Sequence, residues 1–267
     1  MFASNMKLAS LMLLSVVIFD TVRPGVAVCQ NLIRSGLTSQ ERDSILHAHN
    51  KLRQIVAMGQ VSGQPAASDM QEMEWDSELA AKAQNWADRC IYEHDHNDQR
   101  DVRRFPVGQN IATTWNSHPT AFGASPDFMS QIRAWFDEVS IYYMGNGYSE
   151  ATGHYSQLVW GETNKVGCGY SHWYDRSQGY TKFYVCNYGP GGNVIGYDPY
   201  TKGYPDCKSH GMSSSSKYPG LCGKGSYQNS LNSIFSNSNN AVFSNRNTAV
   251  YSTNNARTSY DFSYFKF

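Results

Sequence analysis

The sequence predicts an α+β fold, with helices packed on a mostly antiparallel sheet. Three observations lead there. Between residues 38 and 143 apolar side chains recur at helical spacing in three segments. After residue 165 the apolar runs become β-branched and aromatic, as strands do. Helices in one run and strands in the next suit segregated layers rather than alternating βαβ units. With 18 Tyr, 12 Phe and 6 Trp in 267 residues, the chain also has ample material for a core.

The first helix begins at Thr38-Ser39-Gln40-Glu41, where Thr38 can cap and Glu41 can reach back to it. Ile45, Leu46, His49, Leu52, Ile55 and Val56 follow at helical spacing, and Gly59 supplies a stop. A second helix begins at Asp76, with Leu79, Ala83, Trp86 and Cys90 on one stripe and Ala80, Ala81 and Ala87 permitting close packing. A third starts at Ser125-Pro126, a capping residue followed by proline at the first helical position. Its stripe is Ile132, Trp135, Val139 and Tyr142 or Tyr143. Two strands follow, over 166–170 and 183–187, separated by polar residues and Gly179.

The formal net charge is zero, so nothing steers the chain toward nucleic acid or anionic membranes. Lys7, an apolar run from Leu11 to Phe19 and the small residues Gly25-Val26-Ala27 make residues 1–27 a secretory signal peptide, too short to span a bilayer. No other segment is apolar enough for a transmembrane helix. An even set of cysteines (Cys29, Cys90, Cys168, Cys186, Cys207 and Cys222) fits an oxidising, extracellular compartment; spacing alone leaves 15 connectivities open. No Asn-x-Ser/Thr acceptor occurs.

Composition changes twice near the end. A Gly/Pro/Ser-rich segment over 199–225 contains Cys207 and Cys222, and closure by a disulfide would hold it without a core of its own. Residues 226–267 form a Ser/Asn-rich tail in which Phe235, Phe243 and Tyr251 recur every eight residues. Such a tract cannot bury enough apolar surface to offset its ordering entropy and reads as disordered.

Two stretches are denser in Gly, aromatic, amide and His side chains than ordinary core strands: Gly153-His154-Tyr155-Ser156-Gln157-Leu158-Val159-Trp160, and residues 184–193. Together they resemble the two signature motifs of the CAP superfamily of cysteine-rich secretory, antigen 5 and pathogenesis-related proteins. His49-Asn50-Lys51-Leu52-Arg53 is similar to its helix-one motif and Gly108-Gln109-Asn110-Ile111 to its central loop motif. The run Cys90-Ile91-Tyr92-Glu93-His94-Asp95 resembles arthropod antigen 5 proteins. The resemblance spans residues 29–198 and implies a three-layer α-β-α sandwich, with a CAP domain over 28–198.

The resemblance also implies a groove lined by two histidines and two acidic residues, the histidines able to hold zinc. By position the histidines are His94 and His154. One acid is Glu138; where the other would stand this chain has Gln109, an exchange shared by many antigen 5 proteins that removes a negative charge. Imidazole nitrogen is a good zinc ligand, Glu138 can orient a histidine, and Gln109 hydrogen-bonds but cannot act as a general base. The other polar residues have plainer readings. His49 packs or hydrogen-bonds on its helix face, His96 beside Asp95 is solvated loop, and Asn110 and Gln157 satisfy buried backbone groups. Trp75, Trp86, Trp135 and Trp160 are core, and residues 188–192 make a turn with no phosphate-binding context.

By the same resemblance Cys168 pairs with Cys186 and Cys29 with Cys90, leaving Cys207 with Cys222. A further family cysteine is replaced near Gln99 and its partner upstream of Cys29 is missing, so a whole bridge is lost. The function implied is that of a secreted, non-enzymatic, antigen 5-like protein of venom or salivary type. It would bind a small lipid or sterol, with the aromatic-rich stretch from Ala112 to Phe128 lining a channel, or an extracellular protein target. The alternatives are a zinc-dependent secreted peptidase and a structural or assembly protein acting through its tail. No Arg-Gly-Asp triplet supports integrin binding.

Overall fold

A computed structural model of the chain describes residues 29–119 and 123–223. The signal peptide expected over 1–27 and the disordered tail expected over 226–267 lie outside the described residues. Helix α1 runs Ser39–Ala57 and opens with the predicted capping box. Thr38 Oγ1 accepts from the Glu41 N–H at 3.2 Å, and Glu41 Oε2 accepts from the Thr38 N–H at 2.8 Å. It ends at Met58, with Gly59 following at φ +66°, a conformation that costs glycine no Cβ clash.

Helix α2, Ser77–Ala87, begins on Asp76, whose Oδ1 accepts from the N–H groups of Glu78 and Leu79. Leu79, Ala83 and Trp86 are buried as the periodicity requires. Cys90 departs from that stripe: the helix ends at Ala87, and Cys90 lies beyond it at φ +57°. The close helix–sheet approach is made mainly from the sheet side. A Cβ on Gly167 would stand 2.8 Å from Leu79 C, and one on Gly169 would stand 2.6 Å from Ala83 C, whereas Ala81 faces solvent.

A short helix α3, Asn97–Arg100, precedes strand β3, Gly108–Asn116. Thus the expected central loop motif is a strand, and so is the first part of the stretch from Ala112 to Phe128. Helix α4, Phe128–Asp137, begins two residues later than the Ser-Pro signal predicts. Asp127 supplies the cap, accepting from the Ser130 N–H at 3.1 Å, while the Ser125 carbonyl is taken by Lys182 at 2.8 Å. The α4 stripe continues through a 3₁₀ turn, Glu138–Ile141, to Tyr142, which is buried; Tyr143 is exposed.

A second 3₁₀ turn, Glu150–Thr152, leads into helix α5, Gly153–Leu158. Strands β4, Lys165–Asp175, and β5, Gly179–Gly189, form a long antiparallel hairpin extending beyond both predicted runs. With β1, Leu32–Ser35, the sheet order is β1-β4-β5-β3, so β3 is an edge; β2, Glu74–Trp75, pairs parallel with β4. Period-two alternation sends Tyr184, Cys186 and Tyr188 to the core under α1 and α4, and Phe183 and Val185 to the core under α2. This is the three-layer α-β-α sandwich, and all three disulfides form as the resemblance implies, Cys29–Cys90, Cys168–Cys186 and Cys207–Cys222.

Residues 199–223 borrow the main core rather than standing beside it. Tyr200, Tyr218, Leu221 and Cys222 are buried in the cluster that holds Ile45, Leu52 and Met70. The Cys222 N–H donates to Met70 O at 2.8 Å and the Glu72 N–H to Cys222 O at 2.7 Å. Strands β6, Ser213–Ser214, and β7, Cys222–Gly223, close this segment.

Candidate functional site

The polar residues of α1 build the scaffold of the site. His49, Asn50 and Arg53 project from α1 into the core, each at most 1% exposed. Asn50 pairs with the Met73 backbone in both directions, at 2.9 and 2.8 Å. Arg53 donates to the carbonyls of Gln71, Leu158, Trp160, Gly161 and Thr163, and so closes the carboxyl end of α5. The His49 Nδ1–H donates to Ile45 O at 2.8 Å, which leaves Nε2 to accept from the Tyr188 hydroxyl at 2.9 Å. Asn110 Nδ2 donates to that hydroxyl at 3.4 Å and to the His154 carbonyl at 3.1 Å. One buried chain therefore links the four sequence motifs.

Helix α5 is capped at its other end by a residue far from it in sequence. Glu138 Oε2 accepts from the N–H groups of His154 and Tyr155, both at 3.0 Å, and Oε1 accepts from His154 Nδ1 at 2.6 Å. A carboxylate can only accept, so the proton sits on Nδ1 and the Nε2 lone pair is free. Trp135 stacks on the imidazole with ring centroids 6.0 Å apart. The second signature locks onto the first: Ser156 Oγ donates to Asn193 Oδ1 at 2.6 Å, and Asn193 Nδ2 donates to Gly153 O at 2.9 Å.

His94 is held by an amide relay. Asn187 Nδ2 donates to the Leu79 carbonyl at 3.4 Å, which turns Asn187 Oδ1 toward Gln109. Gln109 Nε2 donates to that oxygen at 3.0 Å, and Gln109 Oε1 then accepts from His94 Nδ1 at 2.8 Å. A fixed backbone carbonyl at one end thus sets the His94 tautomer at the other, again leaving Nε2 free. Gln109 performs the orienting role of a carboxylate without its charge. Gln109 and Asn110 point to opposite faces of edge strand β3: Gln109 reaches the His94 imidazole, and Asn110 reaches the backbone carbonyl of His154. His94 is exposed, while Glu138, Gln109 and His154 are half-buried.

The donor set suits zinc in part. Two neutral imidazoles with lone pairs on Nε2, each oriented through Nδ1, are the ligands and outer partners that zinc favours. Among the described residues no group of three or more His, Cys, Asp or Glu side chains could hold a metal. Zinc here would rest on His94 and His154, with water completing its shell, and would act there as a Lewis acid.

The plainer readings of the remaining residues hold with one exception. Gln157 Oε1 accepts from the Gly192 N–H at 2.9 Å, and Trp86, Trp135 and Trp160 are buried, whereas Trp75 is only half-buried, packed against the main core from β2. His96 is exposed, but its neighbour Asp95 is buried and ion-paired with Arg100. The roles of Tyr188, Asn187 and Arg53 escape sequence reasoning, because each depends on carbonyls and hydroxyls supplied by distant elements. The recurrence of amides within apolar strand runs is the only signal that pointed to Asn187.

Comparison with known proteins agrees with this architecture. The profile of the Cysteine-rich secretory protein family (CAP) matches residues 46–188. Salivary antigen-5 of Dipetalogaster maximus is 37% identical over 219 residues, covering 79% of this chain and 87% of that protein. Venom allergen 5 of Tityus serrulatus is 41% identical over 209 residues, covering 72% of this chain; the chain spans about half the length of that relative, 49%. The crystal structure of NaASP2 with Zn2+ superposes with a TM-score of 0.57 at 32% identity, over 70% of this chain and 97% of that one.

Proposed function

The chain belongs to the CAP, or cysteine-rich secretory protein, family, and on that premise we propose a secreted, antigen 5-like extracellular binding protein without catalytic activity. Its groove carries a zinc-capable histidine pair, and its partner is a small lipid or an extracellular protein. The observation that carries the non-catalytic reading is the commitment of Glu138. Its carboxylate already accepts three hydrogen bonds that fasten α5 and His154, and Gln109 has no basicity, so neither side chain is free to take a proton from water.

Secretion is supported by the amino-terminal leader pattern, by three disulfides in a small domain, and by relatives bearing salivary and venom names. A zinc-capable groove is supported by the free Nε2 atoms and by the Zn2+ in the NaASP2 structure. Contact with a partner is supported by the exposed Trp115 on β3 itself, 55% accessible.

Calorimetric titration of the metal-free protein with Zn2+ tests the groove, with His94→Ala and His154→Ala as controls. Saturable binding lost in both variants is expected; equal binding in either variant removes that histidine from the site. Chelator-sensitive peptide cleavage that disappears in His154→Ala would replace the binding-protein reading with a peptidase. Lipid copurifying with the protein, or saturable fatty-acid binding, would select the lipid over the protein partner.

A further inference from the structure

Away from the groove, the sheet face under α1 and α4 carries a row of basic side chains. Cross-strand neighbours share a face, and the register sets Arg34 of β1 beside His172 of β4, and His172 beside Lys182 of β5. Aromatic pairs bound the row on both sides, Tyr170–Tyr184 with centroids 5.4 Å apart and Tyr174–Tyr180 at 5.2 Å. His172 is only 4% exposed and Lys182 only 7%.

The three cations are not equally provided for. Arg34 Nη2 donates to both carboxylate oxygens of Glu41, at 2.8 and 2.7 Å, and so is neutralised. Lys182 Nζ donates to the uncharged carbonyl of Ser125 at 2.8 Å and forms no ion pair among the described residues. Asp127 acts on it only through its longer-range field, and the Asp127 Oδ1 is occupied by the Ser130 N–H. Neither ring nitrogen of His172 has a hydrogen-bond partner among the described residues. A buried ammonium without a counter-ion and a buried imidazole without a partner are both costly. As cross-strand neighbours, they concentrate positive charge and unused hydrogen-bonding capacity on one patch of the sheet.

We propose that Lys182 and His172 form a binding site for a single oxyanionic group of carboxylate or phosphate type. Two N–H bonds of Lys182 and one imidazole N–H of His172 donate to it, and Arg34 adds to the positive field. The group is either a free anion or the head of an amphiphile whose chain lies along the neighbouring aromatics. The site is independent of the histidine pair at β3 and stands whether or not that pair binds zinc.

The test uses the full chain, titrated with inorganic phosphate, acetate and octanoate while the Cε1–H resonance of His172 is followed by NMR. A saturable shift of that resonance is expected, weakened roughly tenfold in Lys182→Met and retained in Lys182→Arg. Response to phosphate or acetate identifies a free anion; response to octanoate alone identifies an amphiphile head group. If Lys182→Met fails to fold, His172→Phe gives the same reading by calorimetry. The proposal is overturned if none of the three probes shifts His172 saturably, or if the variants bind as tightly as the native chain.

Discussion

The imidazole of His49 and the phenol of Tyr188 meet at 2.9 Å inside the core, one from α1 and the other from the centre strand β5. With the Nδ1–H given to Ile45, the histidine must be neutral for its Nε2 to accept the Tyr188 proton. Burial reinforces this: desolvation lowers the His49 pKa to about 4. It also pushes the Tyr188 phenol far above its ordinary range.

A pH dependence of stability follows from His49. The unfolded chain takes up this proton near pH 6.5, whereas the folded chain resists until about 4. The contribution of neutral His49 is therefore complete above the unfolded value and declines as pH falls through that window, by roughly 3 kcal/mol at most. Denaturant melts across the window should show this decline, and His49→Gln should flatten it. Parallel curves for the two proteins would show that another group governs acid sensitivity.

Glu138→Gln should uncouple the groove from its helix cap. The amide keeps one acceptor oxygen but loses the charge and presents N–H to its neighbours. A destabilisation of about 1–3 kcal/mol is expected from the weakened cap and pairing. Zn2+ affinity should fall about 10–100-fold, as for other lost partners of ligating histidines. Melting temperature and calorimetry read the two effects separately; unchanged zinc affinity would mean that His154 is not a ligand.

Gln109→Glu restores the charge that the resemblance leads one to expect, but inserts it into an amide relay. The carboxylate would accept from His94 Nδ1 as Gln109 Oε1 does, but with a charge, which strengthens that hydrogen bond and should tighten Zn2+ binding at His94. It would also face Asn187 Oδ1, acceptor against acceptor, unless Asn187 turns and abandons Leu79 O. Calorimetric Zn2+ titration of both proteins, with thermal melts, checks the pair of effects. Tighter zinc binding with no loss of stability would show that Asn187 turns freely.

The segment over 199–223 should prove part of the folding unit. Tyr218 is 1% exposed and its hydroxyl lies 2.7 Å from His47 Nδ1. Truncation after residue 198 should abolish cooperative unfolding, and Tyr218→Ala should cost about 3–5 kcal/mol. Tyr218→Phe, which keeps the ring and loses the hydroxyl, should cost only about 1 kcal/mol. A truncated chain that melts cooperatively near the native temperature would make the segment dispensable.

The local signals were the most legible part of this protein. Thr38 with Glu41, Gly59 after α1 and Asp76 before α2 act within one helical turn, so their geometry is implicit in their spacing. The Ser125-Pro126 start failed because a tertiary contact competed for it: Lys182 holds the Ser125 carbonyl, and Asp127 provides a better cap. The β3 motif was hidden for a similar reason, since a strand containing Gln109 and Asn110 has little apolar alternation until Tyr188 and Asn187 stand opposite it.

By itself, the sequence determined the α+β class and the family motifs, and through those motifs the two histidines to consider. Only the tertiary structure decided what those histidines can do. Their tautomers depend on hydrogen bonds spanning 15 and 16 residues, from Gln109 to His94 and from Glu138 to His154. Hydrogen-bond direction is a property of the atoms that meet, and no periodicity records which carbonyl lies at the end of a relay. The same holds for Lys182 and His172: each is unremarkable in its strand, and only antiparallel register places them side by side beneath a covered face.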